Sequence, residues 1–392
     1  MSEREARLAQ LRRLADSLLP RLADLTEQIC LIPAPTYHEA ERARWVARAL
    51  EERGLAVEVD DLPNVYARRP GSGRGATLML AAHTDTVFPP GTPITVERSD
   101  GVLTGPGIGD NSLGVAGLLV LVDLLEAAGI TTPGDLLLVA NVGEEGLGNL
   151  RGIKAAVDRF EPELGGVIAV EGHNLGRVTH IAVGSKRIRV TVTGPGGHSW
   201  GAFGEPSAIH ELAGIVQEIS MIPVPLQPKT TYNVGLIEGG VSVNTIAPHA
   251  SAVIDMRSTD PDRLAWLAQE VTRIVERRRT DRVSTEIEVL GERPAGSVPP
   301  SSPLVRLTVE VLEQLGFQPE LNASSTDANI PIARGIPAVC VGLSHGVRAH
   351  RTDEQIEIAP AAVGLVQLAL IAERFVGEAR GSGGVDGERP SR

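Results

Sequence analysis

Asp135-Leu-Leu-Leu-Val-Ala-Asn141, followed directly by Val142-Gly143-Glu144-Glu145-Gly146, is the stretch that most constrains the fold. A short apolar run between turn residues is typical of a strand buried on both faces of a sheet. The run ends at two adjacent carboxylates. Two neighbouring anions at a buried strand end repel each other and lose hydration, so they require a cation, either a metal ion or a basic side chain. Taken alone, such a pair is more often a solvated face, and the rest of the sequence has to decide between these interpretations.

The composition is that of an ordinary globular protein with room for two domains, or for one domain with a large insertion. Of the 392 residues, 42% are hydrophobic and 22% are charged, and 37 basic against 49 acidic residues give a net charge of −12. This negative charge argues against nucleic acid and anionic membrane surfaces as partners.

The cysteines and the N-terminal residues predict a cytoplasmic protein. Cys30 and Cys340 are far apart and lack a metal-binding spacing, so we expect two unpaired core thiols. Residues 1–7 are charged and contain no apolar signal core. No uninterrupted apolar segment reaches the roughly 18 residues that span a bilayer.

Further buried strands and helices surround the opening stretch. Segments 76–82 and 166–170 are also apolar, and predicted helices at 112–128 and about 148–159 separate the three strands. Strands that alternate with helices in this way predict an α/β fold. We expect a mixed, mostly parallel sheet with helices on both faces.

The pattern changes between residues 186 and 295. Strands there alternate apolar and polar residues, as half-exposed strands do, and the order of elements is β-α-β-β-α-β. This order is that of a ferredoxin-like α+β unit. We therefore predict a first domain part (1–185), an inserted ferredoxin-like domain (186–295), a second part of the first domain (296–378) and a disordered polar tail (379–392).

Candidate metal ligands fall at the carboxyl ends of the predicted core strands, where open α/β sheets place their sites. Besides the glutamate pair they are His83 and Asp85, Asp110 at the end of Gly105-Pro-Gly-Ile-Gly-Asp110, Glu171, and His350 in Arg348-Ala-His-Arg-Thr-Asp-Glu354. Carboxylates with imidazoles suit Zn²⁺, or Mn²⁺ or Co²⁺ in its place. The set exceeds what one tetrahedral ion needs, whereas a carboxylate that bridges two ions about 3.5–4 Å apart would use it.

Each of these elements has a weaker interpretation when taken alone. A single histidine is usually a core or surface residue, and the glycine-rich segment could be a tight turn. As a dinucleotide-binding fingerprint that segment is poor, because its acidic residue comes too early. Their joint occurrence at predicted strand ends favours a metal site.

The motifs and their order resemble a known family. They are His83-Thr-Asp85-Thr-Val, Gly109-Asp110-Asn, Gly143-Glu144-Glu145-Gly, Glu171-Gly, Gly197-His198-Ser and His350. This set is similar to that of the di-zinc exopeptidase and deacylase family, which includes glutamate carboxypeptidase, succinyl-diaminopimelate desuccinylase, aminoacylase and peptidase T. The resemblance covers about residues 10–377. It implies the zinc exopeptidase type of fold, with the inserted unit as a lid or dimerisation domain.

The resemblance also implies roles for the candidate residues. Two Zn²⁺ ions, with Co²⁺ or Mn²⁺ as substitutes, would share Asp110; His83 and Glu171 would complete one ion, and Glu145 and His350 the other. Asp85 would accept a hydrogen bond from His83 and so fix its tautomer. Glu144 would act as the general base on a metal-bridged water and hand the proton to the leaving amine. The peptide bond after Asp110 would be cis.

Residues of the lid would complete the site. The resemblance implies that His198 reaches in from a partner subunit and stabilises the oxyanion, and that Asn244 and Arg257 bind the carboxylate end of the substrate. Ser325-Thr-Asp327-Ala-Asn329 resembles a Ser-Asp motif that lines the site. The lid loop Ser199-Trp-Gly-Ala-Phe-Gly-Glu-Pro206 departs from the family, because two aromatic residues stand where a proline is usual. The remaining histidines have no motif support and are interpreted as structural: His173, His180, His210, His249 and His345.

The sequence thus predicts a metal-dependent hydrolase that cleaves a peptide or N-acyl amide bond of a small peptide or acylated amino acid. We expect a homodimer formed through the lid. Aminopeptidase (dipeptidase or tripeptidase), carboxypeptidase and deacylase activities all remain open. The alternative is a catalytically inactive dimeric relative that binds an amino-acid-like ligand, which the complete ligand set disfavours. A metal-dependent phosphatase or nuclease is disfavoured by the acidic charge and the missing basic cluster.

Overall fold

The computed structural model describes residues 3–378, and their fold divides into two compact units. The first unit comprises residues 3–180, 298–322 and 326–378, and the second comprises 181–297 with 323–325. The second unit extends beyond the predicted limits of 186 and 295 because Ala182 pairs with Gly296, and Val183 N donates to Ser324 O. The predicted disordered tail, 379–392, lies outside the described residues.

The helices follow one another along both units. They are α1 (Glu3–Cys30), α2 (Ala40–Glu51), α3 (Gly114–Ala127), α4 (Arg151–Phe160), α5 (Ala208–Ser220), α6 (Pro261–Glu276), α7 (Pro303–Leu315), α8 (Asn329–Ala333) and α9 (Ala361–Arg374). Irregular helical turns lie at Ile108–Leu113 and Glu161–Glu163. The helix predicted at 112–128 begins at Gly114, because Asp110 and Asn111 in the preceding turn have non-helical dihedral angles.

The strands are β1 (Ala56–Val59), β2 (Val65–Arg69), β3 (Thr77–His83), β4 (Glu97–Ser99), β5 (Val102–Thr104), β6 (Leu136–Asn141), β7 (Leu164–Glu171), β8 (Arg177–Ala182), β9 (Gly184–Thr193), β10 (Gly197–His198), β11 (Thr230–Gly239), β12 (Thr245–Ile246), β13 (His249–Ser258), β14 (Ser284–Arg293), β15 (Gly296–Ser297), β16 (Glu320–Ser324), β17 (Ala338–Gly342), β18 (Gly346–Val347) and β19 (Gln355–Glu357). The main sheet has the order β1-β2-β6-β3-β7-β17-β8-β15, with β16 paired to β8. Strands β6, β3, β7 and β17 are parallel neighbours, and the outer pairs are antiparallel. The predicted mixed sheet with a parallel centre is confirmed.

Burial explains the parallel centre. Every residue of β3 and of β6 is buried, so the apolar run 135–141 lies inside the sheet as predicted. Helix α3 packs on β3 and β7 together with α1 and α9, whereas α4 contacts β6 and α8. Cys30 and Cys340 are buried free thiols, as expected. Because β3, β6 and β7 run in the same direction, the residues that follow them meet at one edge.

One helical segment, Ile108–Ala127, is long and apolar enough to cross a membrane by composition alone. Its most apolar window is 89% buried inside the protein, so it is weak evidence for a membrane span. The core helix of a water-soluble fold has the same properties.

The second unit has the predicted β-α-β-β-α-β connectivity through β9, α5, β11, β13, α6 and β14. Its antiparallel sheet has the order β11-β13-β9-β14, which leaves β11 and β14 at the edges. Alternate residues of β9 and β13, such as Ile188, Val190 and Ile254, are buried with the apolar residues of α5 and α6. A separate ribbon pairs β10 with β12.

Candidate metal centre

The predicted ligands of the first unit meet at the carboxyl edge of the parallel strands. His83 ends β3, Glu171 ends β7, and the two glutamates follow β6. Asp110 lies in the turn before α3, and His350 lies between β18 and β19. Because these segments are far apart in sequence, only the sheet brings the side chains together.

Asp110 stands between two groups of ligands. Its Oδ1 is 3.1 Å from His83 Nε2, which is 3.6 Å from Glu171 Oε2. Its Oδ2 is 3.1 Å from His350 Nε2, which is 3.5 Å from Glu145 Oε1. The carboxylate therefore presents one oxygen to each group.

These separations fit two divalent cations. Two ligand atoms that each lie about 2.0–2.1 Å from one ion at tetrahedral angles are about 3.3 Å apart. The N···O distances around Asp110, 3.1–3.6 Å, bracket that value. The mixed imidazole and carboxylate donors suit Zn²⁺, and by ligand type they also suit Co²⁺ and Mn²⁺.

The two glutamates are buried rather than solvated. Glu144 is 7% exposed and Glu145 is 6% exposed, so the solvated-face interpretation is wrong. One ligand atom of each lies within 4.8 Å of the other and of His83. The turn requires Gly143, which has φ 68° and where a Cβ would lie 2.3 Å from Arg151 Nη1.

Neighbouring charged side chains shift the pKa values of the residues in this cluster. Burial alone would raise the pKa of Asp110, but His350 and His83 hold that pKa well below its usual range. In turn, Asp110 and Glu145 raise the pKa of His350 to about 10. Burial opposes the charged form of His83, yet Glu171 and Asp110 keep its pKa well above the usual value. Bound cations would take the place of these imidazole protons.

Asp85 has partners beyond the one predicted. His83 Nδ1 is 3.1 Å from the backbone carbonyl of Asp85 but 3.7 Å from its carboxylate. The carboxylate instead accepts the backbone N–H groups of Glu144 and Glu145, each at 2.9 Å, and the hydroxyl of Thr36 at 2.8 Å. Burial alone would raise the pKa of Asp85, but His83 and these N–H groups hold it low. Asp85 thus stabilises the turn that carries Glu144 and Glu145, and it also faces His83.

Asn111 is a site residue that the sequence analysis missed. Its peptide bond to Asp110 is cis, as the resemblance implied. Its amide donates to Val170 O at 2.8 Å and accepts from Gly172 N at 2.9 Å, so it holds the residues on both sides of Glu171. Its position next to Asp110 was the only available signal.

Asn141 and Asp327 form a second polar pair that the sequence analysis did not connect. Asn141 Nδ2 donates to Asp327 Oδ2 at 2.8 Å, and both residues are buried. The Oδ1 atoms of both have no hydrogen-bond partner within residues 3–378. Burial, reinforced by Glu171 and Asp85, raises the pKa of Asp327 to about 7.

The predicted residues of the second unit form two separate groups. His198 pairs with Thr245 across the β10–β12 ribbon, and Ser199 N donates to Asn244 O at 3.0 Å. Arg257 lies near the end of β13, whereas the ribbon lies just before its start, and the strand itself is about 27 Å long. The structure therefore brings His198 and Asn244 together but not Arg257 within one chain.

The local surroundings of these residues define what they can bind. His198 Nδ1 accepts the backbone N–H groups of Trp200 at 3.2 Å and Gly201 at 3.3 Å, so the neutral ring carries its proton on Nε2. Arg257 Nε donates to Asp255 at 2.7 Å, and Arg187 contacts the same carboxylate at 3.1 Å. Arg257 is thus already part of an ion-pair network.

A carboxylate–imidazole cluster at the carboxyl edge of a parallel sheet is typical of α/β metalloenzymes. Residues 79–374 match Peptidase family M20/M25/M40, and the chain belongs to this family. The resemblance to metal-dependent exopeptidases and deacylases is thereby confirmed. Membership indicates metal-dependent hydrolysis of peptide or acyl amide bonds.

Individual relatives share nearly the whole length of the chain. Succinyl-diaminopimelate desuccinylase of Corynebacterium glutamicum is 27% identical over 365 residues, which span 90% of this chain and 95% of that protein. Aminopeptidase PepT from Bacillus cereus has a TM-score of 0.78 at 23% identity, with 91% of this chain and 98% of that chain covered. The Bacillus subtilis protein YXEP, described as a dinuclear metal binding peptidase, has a TM-score of 0.68 at 15% identity, with 92% and 99% covered.

Proposed function

We propose that the protein is a two-cation hydrolase that cleaves a peptide or N-acyl amide bond of a small peptide or acylated amino acid. The observation that carries this proposal is Asp110, which presents one carboxylate oxygen to each of two ligand groups. His83 and Glu171 would complete the first position, and Glu145 and His350 the second. Two bound Zn²⁺ ions, or Co²⁺ or Mn²⁺, would polarise the scissile carbonyl and acidify a water.

Glu144 is the proposed general base. Its backbone is held by Asp85, and its carboxylate lies beside His83 and Glu145 without being part of the two groups around Asp110. From this position it would take a proton from the attacking water and deliver it to the leaving nitrogen. The adjacent glutamates would therefore have different roles, with Glu145 binding metal and Glu144 moving the proton.

His198 is the proposed oxyanion donor, acting across a homodimer. Its Nδ1 is occupied by backbone N–H groups, which leaves Nε2–H as the hydrogen-bond donor. The exposed edge strand β11 supports the dimer, because Leu236 and Ile237 are exposed on it and Val241 and Val243 follow it. An exposed apolar edge strand favours pairing with a second copy. The second unit would thus be the lid and dimerisation domain.

Asn244 and Arg257 would bind the carboxylate end of the substrate. Since β13 separates the two residues within one chain, a shared carboxylate would need Arg257 from one subunit and Asn244 of the partner subunit. A guanidinium suits this task, provided that the substrate replaces part of its contact with Asp255. The acidic charge and buried free thiols support a cytoplasmic enzyme that binds neither nucleic acid nor membranes.

Metal removal followed by a substrate screen tests the proposed function. The protein is treated with a chelator and then receives Zn²⁺, Co²⁺ or Mn²⁺, and is assayed on dipeptides, tripeptides and N-acyl amino acids with free or blocked termini. We expect activity to disappear with the chelator and to return with metal. Activity that ignores the chelator would contradict metal catalysis. Binding of amino-acid-like compounds without turnover under every condition would favour the inactive relative.

A further inference from the structure

His173 and Glu354 lie between the segments that carry three of the proposed ligands. His173 follows Glu171 by two residues, and Glu354 follows His350 by four. The Glu354 side chain is 0% exposed and that of His173 is 12% exposed. Neither residue takes part in the proposed proton transfer or metal coordination, and the sequence analysis interpreted His173 as structural.

The Glu354 carboxylate holds the backbone of the segment that ends at Asp110. Its Oε2 accepts from Gly107 N at 2.9 Å, and its Oε1 accepts from Gly109 N at 3.2 Å and Asp110 N at 2.9 Å. In addition, Gly105 N donates to the backbone carbonyl of Glu354 at 2.9 Å. Hydrogen bonds from backbone N–H groups to an ionised carboxylate are short and strong. The segment that carries His350 is therefore attached to the segment that carries the shared ligand.

His173 attaches the third segment to the same carboxylate. Its Nε2 is 2.5 Å from Glu354 Oε1. The ring fits only because two of its neighbours are glycines: a Cβ on Gly109 would lie 2.4 Å from His173 Nε2, and one on Gly346 would lie 2.4 Å from His173 Cε1. A Cβ on Gly172 would likewise lie 2.1 Å from Gly109 O. The close approach of the three segments is thus built into the sequence.

We infer that His173 and Glu354 are positioning residues that set the separation of the two cation positions by joining the segments of Asp110, Glu171 and His350. The inference rests on the proposed two-cation function. His350 depends most on this pair, because its own side chain is 57% exposed and the chain segment that carries it is attached through Glu354. Loss of the pair would therefore weaken the cation held by Glu145 and His350 more than the other cation.

The test uses two substitutions that remove the pair while they keep its volume. Glu354→Gln has one acceptor oxygen in place of two, so an amide N–H₂ must face one group of backbone donors. His173→Phe keeps an aromatic ring without a donor. The matched control is His180→Phe, because His180 is also buried and its Nδ1 contacts Val298 O at 2.6 Å, away from the proposed ligands.

Zn²⁺ binding to the full-length protein is the main measurement. Stepwise affinities come from competition with a chelating dye, and stoichiometry comes from metal analysis after dialysis. For Glu354→Gln and His173→Phe we expect the weaker Kd to rise roughly 10–100-fold, as for other residues that orient metal ligands. The double variant should show less than the sum of the two effects, because the residues act as a unit. His180→Phe should leave both affinities unchanged even if its Tm falls.

Amide hydrogen exchange of the chelator-treated protein provides a readout that needs no metal. We expect faster exchange at residues 107–110 in Glu354→Gln and His173→Phe than in His180→Phe. Unchanged Zn²⁺ affinities together with unchanged exchange would overturn the inference and leave an ordinary structural ion pair. A wild-type protein that binds fewer than two ions would instead contradict the proposed function, and hydrogen exchange would still show whether the pair orders this segment.

Discussion

At the scale of single residues, the proposed mechanism depends on different roles for two adjacent glutamates, Glu144 and Glu145. The Asp85 carboxylate accepts both of their backbone N–H groups and so stabilises the turn. Glu145 then lies 3.5 Å from His350, within one ligand group, while Glu144 lies beside both groups. Side chains that follow each other in an extended turn point in different directions, which allows one to bind metal and the other to move a proton.

Substitution of each glutamate should separate these roles. We expect Glu144→Gln to lower kcat by roughly 10²–10⁴-fold, because a general base is lost, while two ions stay bound. Glu145→Gln should bind fewer ions. Metal analysis and steady-state kinetics on the same preparations measure both effects, with Glu163→Gln, an ion-paired surface residue, as the control. Full activity of Glu144→Gln on every amide that the wild type cleaves would refute the mechanism.

The raised pKa of Asp327 predicts that the stability of the chelator-treated protein depends on pH. Burial raises its pKa to about 7, whereas an unfolded aspartate has a pKa of about 3.9. Between pH 6 and 8 the folded state therefore binds more protons than the unfolded state, and stability falls as the pH rises. For one group with this pKa, the loss across the window is about 1 kcal/mol.

Asp327→Asn should remove only the Asp327 share of this dependence, because the raised pKa of His350 contributes equally in both proteins. Relative to the wild type, its free energy of unfolding should rise by about 1 kcal/mol between pH 6 and 8, as measured by urea denaturation at each pH. Asp16→Asn, on the exposed side of α1, provides the control and should show no such trend. A constant difference between Asp327→Asn and the wild type would mean that Asp327 does not titrate between pH 6 and 8.

At the scale of elements, the loop after β10 carries two exposed aromatic side chains. Trp200 is 88% exposed and Phe203 is 91% exposed, in a chain with 3% aromatic residues. Backbone hydrogen bonds tie this loop to His198. Large exposed aromatic side chains favour contact with a ligand or partner, so the loop would contribute apolar surface wherever His198 acts.

Removal of these aromatic side chains should alter substrate preference. We expect Trp200→Ala and Phe203→Ala to raise KM roughly tenfold for substrates with bulky apolar side chains, because buried apolar contact is lost. Substrates with small side chains and the metal content should be little affected. Val289→Ala, which shortens an exposed apolar residue on β14, is the matched control. Equal KM values across the substrate series would exclude the loop from the substrate pocket.

At the scale of the whole molecule, the proposed site needs two chains. Co-expression of a His198→Ala subunit with a Glu144→Gln subunit, each with its own affinity tag, isolates the heterodimer. If His198 of the partner subunit completes each site, one of the two sites keeps both residues, and the heterodimer should have about half of the wild-type activity. The two inactive homodimers are the controls. An inactive heterodimer, or an active monomer by light scattering, would show that His198 does not act across subunits.

The sequence by itself determined the parallel centre of the sheet and the proposed ligands. Apolar runs such as 135–141 indicate which strands are buried, and the residues that follow each run can be read directly from the sequence. These runs place His83, Glu145 and Glu171 at one edge, whereas the roles of Asp110, in a turn before α3, and His350, between β18 and β19, came from the family resemblance. Neighbouring parallel strands end at the same edge of a sheet, so residues that follow them are expected to lie close together.

Only the tertiary structure decided how those ligands are held. The Asp85 carboxylate accepts hydrogen bonds from the backbone N–H groups of Glu144 and Glu145, which are 59 and 60 positions later in the chain. The Glu354 carboxylate accepts one from the backbone N–H of Asp110, which is 244 positions earlier. The separation of Arg257 from Asn244 likewise depends on the length of β13 and not on a motif. Contacts of this kind join segments through backbone groups that every residue possesses, so no residue pattern marks them. They exist only once packing of the sheet has brought distant segments together.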